Sequence, residues 1–182
     1  MFVGVGAVVV IGIILLFDVV GGGKSTKVTS GSTTTVAGDT TTVASDAASK
    51  PCVAMSDAPP SGAPTVPVQV GPAPTALVSQ DLKVGTGATV AAGASVTVNY
   101  IGVACSTGKI FDSSYSRNQP ATFSLSGVIK GWTDGIPGMK VGGQRLLGIP
   151  ASQAYGASGS PPSIGPNEAL WFVVEVLDTK AS

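Results

Sequence analysis

The chain has 182 residues with ten basic and ten acidic side chains, so its formal net charge at pH 7 is zero. Neither sign forms a run, which excludes the basic footprint of a nucleic-acid-binding protein. Histidine is absent and the two cysteines lie far apart, which excludes His-dependent hydrolases and the ligand spacing of a zinc site. We therefore expect no nucleic-acid partner, no metal and no cofactor.

The first predicted element is an apolar run over residues 2–20, in which Asp18 is the one charged residue. As a helix this run would reach about 28 Å, close to the roughly 30 Å of a bilayer's hydrocarbon core. We predict that residues 1–20 are a transmembrane anchor or a signal segment. The anchor is favoured, because no basic segment precedes the run and no A-x-A-like cleavage site follows it.

A linker is predicted next, over residues 21–75. Thirteen of the thirty residues in 21–50 are Ser or Thr and none is aromatic, so little apolar surface is available to offset chain entropy. Residues 51–74 are rich in proline, which favours extended polyproline II stretches. The linker is thus expected to be disordered at first and stiffer towards its end.

Signals for membrane topology conflict. Lys24 and Lys27 follow the apolar run, which by the positive-inside rule favours a cytoplasmic C-terminus. The Ser/Thr/Pro-rich stretch and the cysteines are more typical of exported proteins. We expect a membrane-anchored or secreted protein whose domain lies outside the cytoplasm.

The two cysteines, Cys52 and Cys105, are 53 residues apart. In an oxidising compartment they could form a disulfide that pins the linker to the domain, worth about 4 kcal/mol in the loop-entropy model. The alternative is two free thiols, one on a mobile stalk and one at a turn.

A single folded domain is predicted over residues 76–182, because eight of the ten aromatic residues lie between Tyr100 and Phe172. Alternating or β-branched runs predict strands over residues 95–100, 121–125, 144–149 and 170–177. The one helical stretch, residues 131–136, ends before Pro137, which lacks an amide donor. The pattern indicates an α+β domain.

Six sequence blocks in this domain occur together in one known family. They are VNYIG at 98–102, GKIFDSS at 108–114, VIKGW at 128–132, GIPGMKVGG at 135–143, YG at 155–156 and LWFVVEVL at 170–177. In these blocks, residues 77–177 resemble the FKBP-type peptidyl-prolyl cis-trans isomerases. The resemblance implies an antiparallel sheet curled around one short α-helix, and catalysis of rotation about X-Pro bonds.

The resemblance also implies an apolar pocket for the proline ring. A prolyl amide isomerises slowly, over a barrier near 20 kcal/mol, and its planar form is the more charge-separated. A dry pocket therefore favours the twisted transition state. The residues expected around the ring, with Trp132 as the floor, are Tyr100, Phe111, Val128, Ile129, Trp132, Tyr155, Ile164 and Phe172.

Three polar groups receive roles from the same resemblance. The Ile129 N–H is expected to donate to the substrate carbonyl that follows proline, and the Tyr155 hydroxyl to donate at the pocket rim. Asp112 is expected beside the rotating carbonyl, where it acts through its field. The implied partners are proline-containing polypeptides and macrolide inhibitors of the family, and we expect a monomer.

Two departures from the family pattern affect the pocket walls. Ala121 stands where many relatives have an aromatic wall residue, and Gly165-Pro166 replaces a frequent Pro-Pro. A pocket that is shallower on one side is expected. The alternative function is a non-catalytic proline-binding or chaperone-like module, but docking alone requires no polar group facing the twisting carbonyl, so Asp112, Trp132 and Tyr155 together favour catalysis.

Overall fold

The computed structural model describes residues 50–181, which form an antiparallel six-stranded sheet and a short α-helix. No helix within these residues is long and apolar enough to span a membrane. The predicted anchor and residues 21–49 of the linker lie outside the described residues. The elements are β1 (Val78–Lys83), β2 (Ser95–Ala104), β3 (Ile110–Ser113), β4 (Ala121–Ser124), α1 (Lys130–Gly135), β5 (Gln144–Ile149) and β6 (Leu170–Lys180).

The sheet has the strand order β1-β5-β6-β2-β3, and β4 pairs with the first half of β2. Its two long strands, β2 and β6, pair along their whole length, with Tyr100 opposite Val174 and Val103 opposite Trp171. Most of their side chains are buried, which explains the nearly continuous apolar sequence of β6. The predicted α+β fold with one short helix is confirmed for this part of the chain.

On its inner face the sheet packs against α1. Trp132 and Ile136 lie one helical turn apart and are both buried against the sheet. Close approach depends on a glycine, because a Cβ on Gly131 would lie 2.4 Å from Cγ2 of Ile149 on β5. The helix therefore presses its indole directly onto the strands that line the inner core.

The outer face of the sheet is covered by residues 51–75, which the sequence predicts to be a linker. Val66 and Ala73 of this segment are buried in a second apolar core with Ile101, Leu146 and Trp171 of the sheet. Strands β2, β5 and β6 thus carry apolar side chains on both faces, and the outer set needs a cover. We refer to residues 51–75 as the extension.

A disulfide joins the extension to the end of β2. Cys52 and Cys105 are bonded, with their Cα atoms 4.3 Å apart, and both side chains are buried. Backbone hydrogen bonds continue the attachment, from Val53 N to Cys105 O and from Ser56 N to Gly108 O, both at 2.8 Å. Of the two arrangements open to the cysteines, the structure has the bridge rather than the free thiols.

Candidate functional site

A cavity of about 450 Å³ opens beside α1 on the inner side of the sheet. Its lining comes from four strands, from the segment that enters α1 and from the loop between β5 and β6. The residues around it are Tyr100, Phe111, Asp112, Phe123, Gly127, Val128, Ile129, Trp132, Tyr155 and Phe172.

Aromatic rings form a rigid cage around Trp132. The rings of Tyr100, Phe123 and Phe172 each meet the indole edge to face, with centroids 5.4 Å away. Such T-shaped contacts are favourable and hold each ring in place. Trp132 is 4% exposed, and its Nε1 has no hydrogen-bond acceptor among residues 50–181. The ring packing therefore gives the cavity a preformed aromatic floor.

One wall of the cavity carries a charge that is held by two neighbours. The Tyr100 hydroxyl donates to Oδ2 of Asp112, and Arg117 Nη1 donates to Oδ1. Arg117 Nη2 also donates to the Tyr100 oxygen at 2.7 Å. Arg117 reaches this position because the short turn Tyr115–Arg117 follows β3 directly. Tyr100 and Arg117 together fix the Asp112 carboxylate at the cavity wall.

These contacts reinforce the charge states that Asp112 and Tyr100 ordinarily have at neutral pH. Burial alone would raise the pKa of Asp112, but the hydrogen bonds from Tyr100 and Arg117 outweigh it and hold the pKa below its ordinary value. Burial, followed by the hydrogen bond to Asp112, raises the pKa of Tyr100 to about 12. At neutral pH the cavity thus contains a fixed anion and a neutral phenol, neither poised to transfer a proton.

A flat pH profile is expected for turnover between roughly pH 5 and 9, because the charge of Asp112 at the cavity wall does not change there.

The lowered pKa of Asp112 stabilises the fold at pH values above about 4, the pKa of the unfolded chain, and this contribution disappears as the pH falls through the folded value. The raised pKa values of Tyr100 and Tyr115, both about 12, stabilise the fold below pH 10 and are lost as the pH rises towards 12. Urea unfolding across pH should show the alkaline loss reduced in Tyr100→Phe. A bell-shaped activity profile centred near pH 7 would contradict the assignment.

Two hydrogen-bond donors at the cavity are free to meet a substrate. Ile129 has extended backbone angles immediately before α1, and no acceptor for its N–H lies among residues 50–181. Tyr155 is 41% exposed at the mouth of the cavity, and its hydroxyl likewise has no partner in the described part of the chain. The carbonyl-binding roles that the sequence assigns to both groups stay predictions.

The structure brings together all the predicted site residues except Ile164. That side chain is 4% exposed within the inner core and does not line the cavity. Its position is fixed by backbone hydrogen bonds with Ser160 in both directions. Ile164 thus belongs to the packed inner core and not to the cavity lining.

Sequence reasoning missed Phe123 and Arg117. Phe123 lies two residues beyond Ala121 on β4, where residues at 121 and 123 share the half-buried side of the strand. It supplies an aromatic ring on the wall where Ala121 has none. Period-two alternation could have identified Phe123, whereas no short-range pattern indicates that Arg117 turns back onto Asp112.

Comparison with known proteins agrees with this geometry. A sequence profile described as "FKBP-type peptidyl-prolyl cis-trans isomerase" matches residues 87–177. A probable FK506-binding protein of Corynebacterium glutamicum is 46% identical over 114 residues, covering 63% of this chain and 96% of that protein. The FKBP-type isomerase FkpA of Escherichia coli K12 is 46% identical over 106 residues, covering 58% of this chain and 38% of that protein.

Solved structures show the same relationship. The crystal structure of FkpA from Escherichia coli aligns with a TM-score of 0.55 at 46% identity, over 59% of this chain and 49% of that one. AtFKBP13 aligns with a TM-score of 0.53 at 37% identity, over 59% of this chain and 96% of that one. The chain thus spans about half of the FkpA structure, and nearly all of the two shorter relatives. By its aromatic cavity, its sequence and its fold, this chain belongs to the family of FKBP-type peptidyl-prolyl cis-trans isomerases.

Proposed function

We propose that the cavity accelerates X-Pro rotation mainly by removing water from the prolyl amide. The observation that carries this proposal is the preformed cage around Trp132, with an ionised carboxylate fixed at one wall. The planar amide has the larger charge separation, so an apolar cage destabilises it relative to the twisted form. No covalent bond has to break, which accords with a site in which Asp112 stays ionised and Tyr100 stays neutral near neutral pH.

The polar groups then orient the substrate. The free Ile129 N–H binds the carbonyl that follows proline, and the Tyr155 hydroxyl binds a second carbonyl at the rim. Asp112 faces the rotating carbonyl, and its field acts on that group as the dipole of the amide changes. Because Tyr100 and Arg117 hold the carboxylate in place, this field is present before the substrate arrives.

Catalysis can be separated from docking by NMR exchange on an X-Pro peptide with the full chain. Catalysis should broaden the cis and trans resonances or produce exchange peaks between them. A non-catalytic proline-binding module would give saturable shifts without exchange, and that result would replace the proposed activity. Competition by FK506 in the same sample would test whether the cavity also accepts macrolides, as the name of the Corynebacterium glutamicum relative suggests.

Tyr155→Phe should lower kcat/KM by roughly 2–10-fold, the cost of one hydrogen bond of about 0.5–1.5 kcal/mol. Folding should be nearly unchanged, because the side chain is exposed and its hydroxyl has no partner in the described part of the chain. Tyr115→Phe is the matched control, since Tyr115 packs against the outer core and does not line the cavity. Equal turnover in both variants would refute the donor role of Tyr155.

We further propose that the enzyme assists the folding of exported proteins, as a monomer attached to a membrane or secreted. Support comes from the disulfide between Cys52 and Cys105, which persists in oxidising compartments, and from the apolar run over residues 2–20. Sequencing the N-terminus of the mature protein, after cell fractionation, separates an anchor from a cleaved signal. Recovery of the uncleaved chain from the cytoplasm with both thiols reduced would contradict export.

A further inference from the structure

A second cavity, of about 520 Å³, lies between the extension and the loop that follows β5. Pro51 and residues 72–75 form one side of this groove. Residues 150–152, 156, 157 and 167 form the other. The groove thus exists because the extension is folded onto the sheet, and we call it the extension groove.

The extension groove lies next to the site already described, because consecutive residues line the two cavities. Tyr155 lines the proline cavity, while the next two residues, Gly156 and Ala157, line the groove. One turn of backbone, Gly156–Ser158, therefore separates the two cavities. A polypeptide that leaves the proline cavity past Tyr155 would therefore pass towards the groove.

The chemistry of the groove fits an uncharged peptide segment. Its lining includes four proline rings and no charged side chain. The hydroxyls of Thr75 and Ser152 and the side-chain amide of Asn167 have no hydrogen-bond partner within residues 50–181. Such groups can pair with peptide N–H and C=O groups, while the proline rings pack against apolar side chains. An ionic ligand would find no counter-charge there.

We propose that the extension groove binds the residues that precede proline in a polypeptide substrate. This inference rests on the proposed function, in which the Ile129 N–H takes the carbonyl after proline. The chain that follows proline then leaves on the α1 side, and the chain that precedes it leaves past Tyr155. Binding energy from these remote residues appears in kcat/KM rather than in the chemistry at the proline.

The test compares uncharged peptides that have two or six residues before proline, with the full-length protein. The six-residue peptide should have a kcat/KM roughly tenfold higher, which corresponds to about 1.4 kcal/mol of added binding. Lengthening the peptide after proline instead should give no such gain. Equal kcat/KM for the two peptides overturns the proposal.

Two variants locate the effect in the groove. Thr75→Trp fills the groove from the extension, far in sequence from Tyr155, and should abolish the gain while leaving the two-residue peptide unaffected. Ala157→Trp should do the same from the opposite side, and Ala92→Trp, at an exposed position outside both cavities, should keep the full gain. A gain that persists in both groove variants also overturns the proposal. Failure to turn over the short peptide would instead refute the proposed isomerase activity.

Discussion

Trp132→Ala is expected to lower the free energy of unfolding by about 3 kcal/mol or more, because a buried indole is removed from a packed core. The loss of unfolding free energy is expected at the upper end of the range for such substitutions. Three aromatic rings pack edge to face against this one side chain, and all three would lose that contact. Isomerase turnover should fall to near the uncatalysed rate, because the variant leaves the proline ring without a floor. Urea denaturation and NMR exchange measure the two effects.

Trp171→Ala provides the matched control. This second indole is 1% exposed, as buried as Trp132, but it packs in the outer core beneath the extension. Its removal should cost a similar free energy of unfolding, while turnover at temperatures where the variant stays folded should be close to that of the wild type. If both variants lose activity in proportion to stability, the special role of Trp132 in the cavity is wrong.

Removing the disulfide by Cys52→Ala together with Cys105→Ala should lower the free energy of unfolding by about 4 kcal/mol, because the bridge closes a long loop in the unfolded chain. The effect has a second source in the native state, where Trp171 Nε1 lies 3.3 Å from Cys52 Sγ. Thermal or urea unfolding of the variant and of the oxidised wild type measures the difference.

Activity separates this effect from damage to the site. The disulfide belongs to the outer core, and the proline cavity is lined from the inner core, so the folded double variant should retain nearly full turnover. Wild-type protein unfolded and refolded with reductant should match the double variant in stability. Identical midpoints for oxidised and reduced protein would show that the bridge contributes nothing.

Hydrophobic patterning predicted the elements that pack on one face with regular spacing. Strand β5 occupies its predicted residues, and α1 lies within one residue of the predicted helix. Strand β2 was expected to end at residue 100 but continues to Ala104, because alternation gives way to a run that is buried on both faces. Strands β1 and β3 were not predicted, since one is a mostly exposed edge strand and the other has four residues.

The extension was predicted as a linker because its composition is dominated by proline and small residues. Its buried side chains, such as Val66 and Ala73, have no periodic spacing that would reveal a packed face. What draws this segment onto the domain is the apolar outer side of the sheet, including Val103 and Val173. That requirement becomes visible once the strand register is known.

The site was predictable to the extent that its residues lie in family blocks. Trp132 and Asp112 were assigned from such blocks, and the cavity brings them together. Ile164 was expected at the ring, but its side chain is buried in the inner core and is not among those that line the cavity. Phe123 was missed although it alternates with Ala121 on β4, and its ring joins the site by packing against Tyr100 and Trp132.

Because the extension covers the outer face of the sheet, it limits how far the chain can be truncated from its N-terminal side. Truncating the chain to the segment that begins near Leu77, where the family resemblance starts, would expose the apolar outer core around Trp171. It would also leave Cys105 as a free thiol. Such a fragment would be prone to aggregate and to form disulfides between its copies. The minimal self-sufficient catalyst therefore begins before Cys52, well ahead of the boundary that family likeness alone would suggest.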